Sequence, residues 1–285
     1  MTKILVTGAS GFIGRHFVRL ARANGSDVIT ADRASGDIED EATWRAFPKA
    51  DVIVHLAGKS FVPASWREPN EFLRSNFLGT IGAIDYCRRH QSRLVFLSSY
   101  AYAIRTTSPI PESSPLQATN PYALTKQLSE DVCRFFSEHY GVDVTVLRPF
   151  NVYGADQGAS FLIPSIIRAI ENGEAIRVRD LEPKRDYVHV DDVVRAMFAA
   201  TTGPSGYSVY NIGSGISHSV AEVIALIQTA WGTTLAVQSD GERRTNEIMD
   251  TVADIRAAVS ALGWRPRISL ADGLARMRAT PGNSA

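Results

Sequence analysis

A chain of 285 residues with 45% hydrophobic side chains can bury one large core or two closely joined ones. Thirty Lys and Arg balance thirty Asp and Glu, and no long run of one sign occurs, which argues against a general nucleic-acid coat or a membrane-surface role. No stretch of about eighteen uncharged apolar residues exists, the opening MTKILVTGAS lacks a signal-peptide layout, and Cys87 and Cys133 read as buried reduced thiols, so a cytoplasmic protein with no nucleic-acid or membrane partner is expected.

KILVT (3–7), DVITA (27–31), DVIVHLA (51–57), RLVFLSS (93–99) and VDVTVLRP (142–149) are nearly continuous apolar runs, as strands covered on both faces should be. Amphipathic segments at 12–24, 40–47, about 69–90 and 121–140 alternate with them and read as helices. This alternation predicts an α/β fold, a Rossmann-type doubly wound parallel sheet. After Arg148 the rhythm changes. A helix is expected at about 160–172, a short strand near 176–179, and a strand running into a helix across RDYVHVDDVVRAMFAA with Asp191 or Asp192 near the helix start. GYSVYNIGSG reads as a strand and turn, 219–231 as a helix, and ADIRAAVSALGW as a late helix stopped by Gly263. The tail TPGNSA is expected to fray. The expected division is a dinucleotide-binding domain over 1–151, with segments returning at about 187–212, and a smaller, discontinuous C-terminal substrate-binding lobe over 152–186 and 213–285.

TGASGFIG (7–14) leaves the first strand and opens the first helix. Gly8, Gly11 and Gly14 let the loop turn tightly and let its N–H groups, with those of Ser10, Phe12 and Ile13, face a pyrophosphate. The strand–turn–helix setting turns a weak glycine pattern into a dinucleotide site. Asp32, ending the second strand, can accept from both ribose hydroxyls and favours NAD, whereas the adjacent Arg33 would attract the 2′-phosphate of NADP. Asp37 and Ile38 are candidates to frame the adenine.

In NPYALTK (120–126), Asn120 suits an N-cap and Pro121 a first helical turn, so Tyr122 and Lys126 share one face at a helix start. The spacing alone is weak evidence. With TGASGFIG, GDI (36–38), HLAG (55–58), SNFLGT (75–80), LSS (97–99), RPFNVYG (148–154), RDYVHVDDV (185–193) and ADI…LGWRP (253–266) in order around it, the chain resembles the extended short-chain dehydrogenase/reductases, in the NAD-dependent epimerase/dehydratase group that acts on nucleotide sugars. The resemblance runs over almost the whole chain.

The resemblance implies that Tyr122 is the general acid/base and that Lys126 tunes it and holds the nicotinamide ribose. A free phenol titrates near pH 10, so a neighbouring cation is a physical need. A serine hydroxyl would bind the substrate oxygen. Two registers leave Ser98 and Ser99 open, with Ser99 favoured. Leu56, Ala57, Gly58, Lys59, Asn76 and Phe150 fall at the family's cofactor positions, and Asn151, Arg185, Tyr187, Arg244 and Glu247 at its positions for the sugar nucleotide. His55 reads as a structural strand-end residue, and no Cys/His cluster points to a metal. The family's 4,6-dehydratases carry acids directly after the catalytic hydroxyl; Tyr100 and Ala101 stand here, which disfavours that reaction.

Two reactions at C4 of a nucleotide-linked hexose are left: reduction of a 4-keto-sugar and 4-epimerisation. The short step from Asp32 to Asp37 resembles the reductases, and Asp32 itself suits an NAD-recycling epimerase. A non-catalytic NAD(P)-binding protein is the remaining class. The family also implies a homodimer, pairing helices 69–90 and 121–140 into a four-helix bundle, with Ile81, Ile84, Phe135 and Phe136 candidates for that face or for the core.

Overall fold

The apolar runs of the first half lie side by side at the centre of a parallel sheet. The structure is a computed structural model that describes residues 1–102, 107–241 and 248–279. Its strands are β1 (Lys3–Thr7), β2 (Asp27–Ala31), β3 (Val52–His55), β4 (Arg93–Leu97), β5 (Val144–Pro149), β6 (Asn151–Tyr153), β7 (Ile176–Val178), β8 (Lys184–His189), β9 (Tyr207–Ile212), β10 (Ser217–Ser219), β11 (Val237–Ser239) and β12 (Asp250–Thr251). Its helices are α1 (Phe12–Ala23), α2 (Glu41–Ala46), α3 (Val62–Arg67), α4 (Pro69–Phe72), α5 (Gly79–His90), α6 (Pro121–Tyr140), α7 (Leu162–Glu171), α8 (Val190–Ala200), α9 (Val220–Trp231), α10 (Arg256–Leu262) and α11 (Leu270–Ala279).

The main sheet has the order β2-β1-β3-β4-β5-β9, with every pairing parallel. The chain leaves β1 for β2 on one side and then crosses to β3 on the other. The crevice at the carboxyl end of β1 is therefore a topological switch point, where open α/β sheets bind ligands. Side chains alternate across the sheet. Ile4, Val6, Val52, Val54, Val95 and Leu147 enter one core with α1, α8 and α10, while Leu5, Ile53, Leu94, Phe96, Val144 and Val146 enter the other with α5 and α6. Burial on both faces explains why these strands read as unbroken apolar runs.

The second half is built around a second sheet, while α8 packs on the main core. β6, β8, β10 and β12 form a separate four-stranded sheet, so the returning segment regains the main sheet only at β9. The reason is pairing: Asn151–Tyr153 runs parallel to Tyr187–His189 and draws β8 away from the Rossmann sheet. Conversely, Ala258 and Trp264, expected in the smaller lobe, pack into the main core. Two buried carboxylates staple these turns. Asp186 accepts from Ser214 N and Oγ (both 2.6 Å), Gly215 N (2.9 Å) and Ala253 N (3.1 Å). Asp192 accepts from Arg267 N and Ile268 N, both at 3.0 Å, and pairs with Arg195.

The helix expected over 69–90 is not continuous. A π-helical stretch, Leu73–Leu78, separates α4 from α5. Its centre, Asn76, has its carbonyl taken by Thr80 Oγ (2.6 Å) and Ser129 Oγ (3.4 Å), and π-turns of this kind cluster at functional sites. Of the candidate bundle residues, Ile84 is fully buried, Phe136 packs on the core, and Phe135 is half exposed. The tail TPGNSA lies outside the described residues.

His55 ends β3 fully buried. Thr7 Oγ accepts from Leu56 N (3.3 Å) and Ala57 N (3.2 Å), so its own proton goes to His55 Nδ1 at 2.8 Å. That leaves the ring proton on Nε2, which finds no partner among the described residues. Burial first, and the Lys126 charge second, push His55 from 6.5 down to about 3. The folded state keeps this ring neutral while the unfolded chain protonates it below 6.5. Unfolded chains therefore bind one more proton between those values, and stability falls on acidification by ~1.4 kcal/mol per pH unit from this group. His55→Gln should remove one proton from the pH slope of the urea unfolding free energy between pH 5 and 6.5. Equal slopes in the two proteins would refute the assignment.

Candidate active site

The cradle is built by close approach. Gly8 sits at φ +68°, and a Cβ there would lie 2.8 Å from Ala57 N. A Cβ on Gly14 would lie 2.1 Å from Gly8 O, so only glycine lets α1 start against the turn. Gly11 caps α1 without any side-chain acceptor, which leaves the first-turn N–H groups of Phe12, Ile13 and Gly14 open to an anion. The backbone thus fits a dinucleotide pyrophosphate. Asp32 borders this cradle; its Oδ1 accepts from Ala34 N (3.0 Å) and caps a 3-10 turn, Arg33–Ser35. Asp32, Ser10, Thr30 and three arginines of α1, Arg15, Arg19 and Arg22, line an open cavity of about 500 Å³. Those arginines escaped sequence reading, although their spacing places them on one helix face. Ile38 packs on Gly79, and its carbonyl accepts from Trp44 Nε1 at 2.7 Å.

Asn76 joins the cradle to α6. Its Oδ1 accepts from Lys59 N (2.7 Å), and its Nδ2 donates to Lys59 O and Thr125 Oγ, both at 3.0 Å. Gly58 is needed beside it, at φ +150°, where a Cβ would lie 2.6 Å from Asn76 Oδ1. Lys59 therefore meets the site through its backbone. Its ammonium turns outward to Glu71 and to Glu68 at 3.4 Å.

Helix α6 presents the chemistry. Asn120 caps it by accepting from Ala123 N at 2.9 Å, Pro121 fills the first turn, and Tyr122 projects from that rigid start. The two candidate serines diverge, as successive residues of an extended chain must. Ser98 Oγ donates at 2.5 Å to buried Glu130, whereas Ser99 hydrogen-bonds the Tyr122 hydroxyl. Lys126 lies one turn on, with Nζ donating to Leu97 O at 2.8 Å and standing 6.0 Å from the centre of the Tyr122 ring. Burial raises the Tyr122 phenol above its ordinary value of 10, and the Ser99 contact partly offsets this. Burial likewise pushes Lys126 down to about 8, while the Glu130 carboxylate pulls it back up.

Beneath these groups runs a buried polar chain. Glu130 accepts from Arg148 Nε (3.0 and 3.1 Å) and Nη2 (2.5 Å); Arg148 Nη1 donates to Tyr102 Oη (3.1 Å) and Glu112 O (3.0 Å). Sequence reading missed Glu130 and Arg148, though Glu130 stands four residues after Lys126 on the same helix face. Glu112, the first carboxylate after Tyr100, accepts from Asn211 N at 2.8 Å, on the far side of this chain from Tyr122.

On the sugar side, Phe150 is buried and Tyr100 stacks on it at 4.7 Å, with Tyr100 Oη donating to Asn151 Oδ1 at 3.2 Å. Asn151 pairs in register with Tyr187. Arg185 donates from Nη1 to Lys184 O (2.7 Å) and Ile248 O (2.8 Å), at the entry to the strand that follows 242–247. Arg244 and Glu247 lie outside the described residues. No group of three or more His, Cys, Asp or Glu stands together as a metal site among the described residues. No described helix is long and apolar enough to cross a membrane.

The NAD dependent epimerase/dehydratase family model matches residues 4–213. A UDP-glucose 4-epimerase from Halalkalibacterium halodurans is 30% identical, over 93% of this chain and 90% of the relative. A GDP-6-deoxy-D-mannose reductase from Pseudomonas aeruginosa is 29% identical, over 95% and 94%. The solved structure of RMD from Pseudomonas aeruginosa complexed with NADPH superposes with a TM-score of 0.88 at 27% identity, covering 98% of each chain. The chain belongs to the NAD-dependent epimerase/dehydratase family, whose members use NAD(P) to modify nucleotide sugars.

Proposed function

We propose that the protein reduces a 4-keto-hexose carried on a nucleoside diphosphate. The observation that carries this reading is the short turn between Asp32 and Gly36 on the adenosine side, joined to a Tyr122 placed to give a proton. Burial raises its phenol above the ordinary value, and the hydroxyl is hydrogen-bonded to Ser99, one turn from Lys126. A protonated phenol is the form a ketone reduction needs, whereas an epimerase must begin from phenolate. The cofactor, when bound, supplies the hydride. Tyr122 then gives its proton to O4 as negative charge develops there, Ser99 donates to the same oxygen, and the Lys126 ammonium stabilises the phenolate left behind. Asn151 and Tyr187 support the reading from the second lobe, at positions suited to the sugar nucleotide. The single 3-10 turn between Asp32 and Gly36 keeps the adenosine side short, as in the reductases the sequence resembles.

The second reading is 4-epimerisation, favoured by Asp32 facing the ribose pocket. Product analysis separates the two. A reductase releases one oxidised cofactor per alcohol formed; an epimerase inverts C4 without net cofactor turnover. If neither occurs with any nucleotide sugar, both readings fail. Tyr122→Phe should retain cofactor binding and lose about 10²-fold or more in rate.

Lys126 sets the alkaline limb of the rate. The groups acting on it are Glu130 and Cys133 on its own helix and His55 from β3. Activity should fall as pH rises through about 8, where Lys126 loses its proton. Glu130→Gln removes the carboxylate that raises Lys126 and should move that limb about one pH unit lower; a limb that stays in place would count against the coupling.

The exposed aromatic and aliphatic groups of α6, Phe135, Tyr140 and Leu124, suit pairing with a second copy. Phe135→Glu should then yield monomer by sedimentation velocity, and a variant that sediments like the parent protein would reject this face.

A further inference from the structure

Beside Ser99 and Tyr122 stands a second phenol that the proposed reaction does not use. Tyr100 stands three residues past the end of β4, and its ring lies nearly flat on Phe150, at 4.7 Å and 12°. Phe150 is buried while Tyr100 keeps partial exposure, so the open part of Tyr100 faces away from that stack. Its hydroxyl has one proton, and that proton goes to Asn151 Oδ1 at 3.2 Å. Asn151 is itself fixed, because its Nδ2 donates to Asp186 O at 3.2 Å. The oxygen of Tyr100 retains acceptor capacity and lies within electrostatic reach of both Tyr122 and Tyr187. The result is a rigid, neutral aromatic ledge beside the reacting position, with an oxygen that can accept a hydroxyl proton.

We infer that Tyr100 is a specificity-determining residue that binds the hexose directly, its ring against the apolar C–H face of the pyranose and its oxygen accepting from a sugar hydroxyl. This rests on the nucleotide-sugar reading above. A pyranose presents such an apolar face, and a preordered ring loses little entropy on meeting it. The Tyr100 hydroxyl proton is held by Asn151, so a sugar hydroxyl meets the Tyr100 oxygen as an acceptor.

Binding measured on the cofactor-loaded protein tests this without relying on turnover. UDP-glucose, dTDP-glucose and GDP-mannose are titrated by calorimetry, each against its free diphosphate. The expected result is that the parent protein binds at least one sugar form more tightly than the diphosphate, that Tyr100→Phe loses about threefold or more of this preference, the scale of one neutral hydrogen bond, and that Tyr100→Ala abolishes it. Diphosphate and cofactor affinities should stay unchanged in both variants, a separation that a merely misfolded site would not produce. If the parent protein prefers the sugar form and Tyr100→Ala keeps that preference, the inference is overturned while the nucleotide-sugar reading stands. If the parent protein binds the diphosphates with no preference for any sugar form, the inference is overturned; if it binds none of the three diphosphates, the nucleotide-sugar reading falls and the inference with it.

Discussion

The arrangement of the site depends on one buried ion pair. Glu130 and Arg148 meet through three short contacts, and neither is exposed to solvent. Removing two charges from water is expensive, and such a pair is weak evidence for stability on its own; losing one partner, however, leaves a buried charge at a cost of about 3–5 kcal/mol. The value of this pair is geometric. Glu130 belongs to α6, Arg148 to β5, and Ser98, which donates to Glu130, to the exit of β4. Three elements are thereby locked at the level where Ser99, Tyr122 and Lys126 emerge. With Ser98 turned down to the carboxylate, the extended backbone turns Ser99 up to the phenol. The pair also keeps a negative charge one turn below Lys126, which opposes the desolvation that would otherwise neutralise the ammonium.

Asn76 does for the cofactor side what Glu130 does for the sugar side. Asn76 lies in the π-turn between α4 and α5. The π-turn adds a residue and lets one amide hold Lys59 through both backbone groups and α6 through Thr125. Gly8 touches Ala57, Gly58 touches Asn76, and Asn76 touches Thr125, three residues past Tyr122. A contiguous packed path therefore runs from the phosphate cradle to the acid/base group.

Much of this was legible in the sequence, and for physical reasons. The parallel strands are buried on both faces, so they read as apolar runs; α6 carries its own cap and proline, so its bounds are local. Glycines at the cradle are forced by backbone approach, and a forced residue is visible. What was hidden depends on pairing across long separations. Nothing local in RDYVHV tells whether β8 joins the main sheet or pairs with Asn151–Tyr153. The π-turn is invisible to a helical period. The serine register followed only from the distant partner, Glu130, that takes one hydroxyl and leaves the other. Segment 60–67, lacking a strong apolar period, carries the short helix Val62–Arg67.

The division of labour between the lobes bears on how one acid/base group can serve different sugars. Ser99, Tyr122 and Lys126 all rise from the main sheet and α6, fixed by contacts that do not involve the second sheet. Asn151 and Tyr187 pair within the second sheet, whose turns are held by Asp186. Tyr100 touches both, following Ser99 in the chain and bonding Asn151 in space. If the proposed function holds, a change in the second sheet would re-aim the sugar with little effect on Tyr122. On the proposed reading, the orientation of the sugar would reach the chemistry through Tyr100 and Asn151, while the proton would be held by Tyr122 on α6.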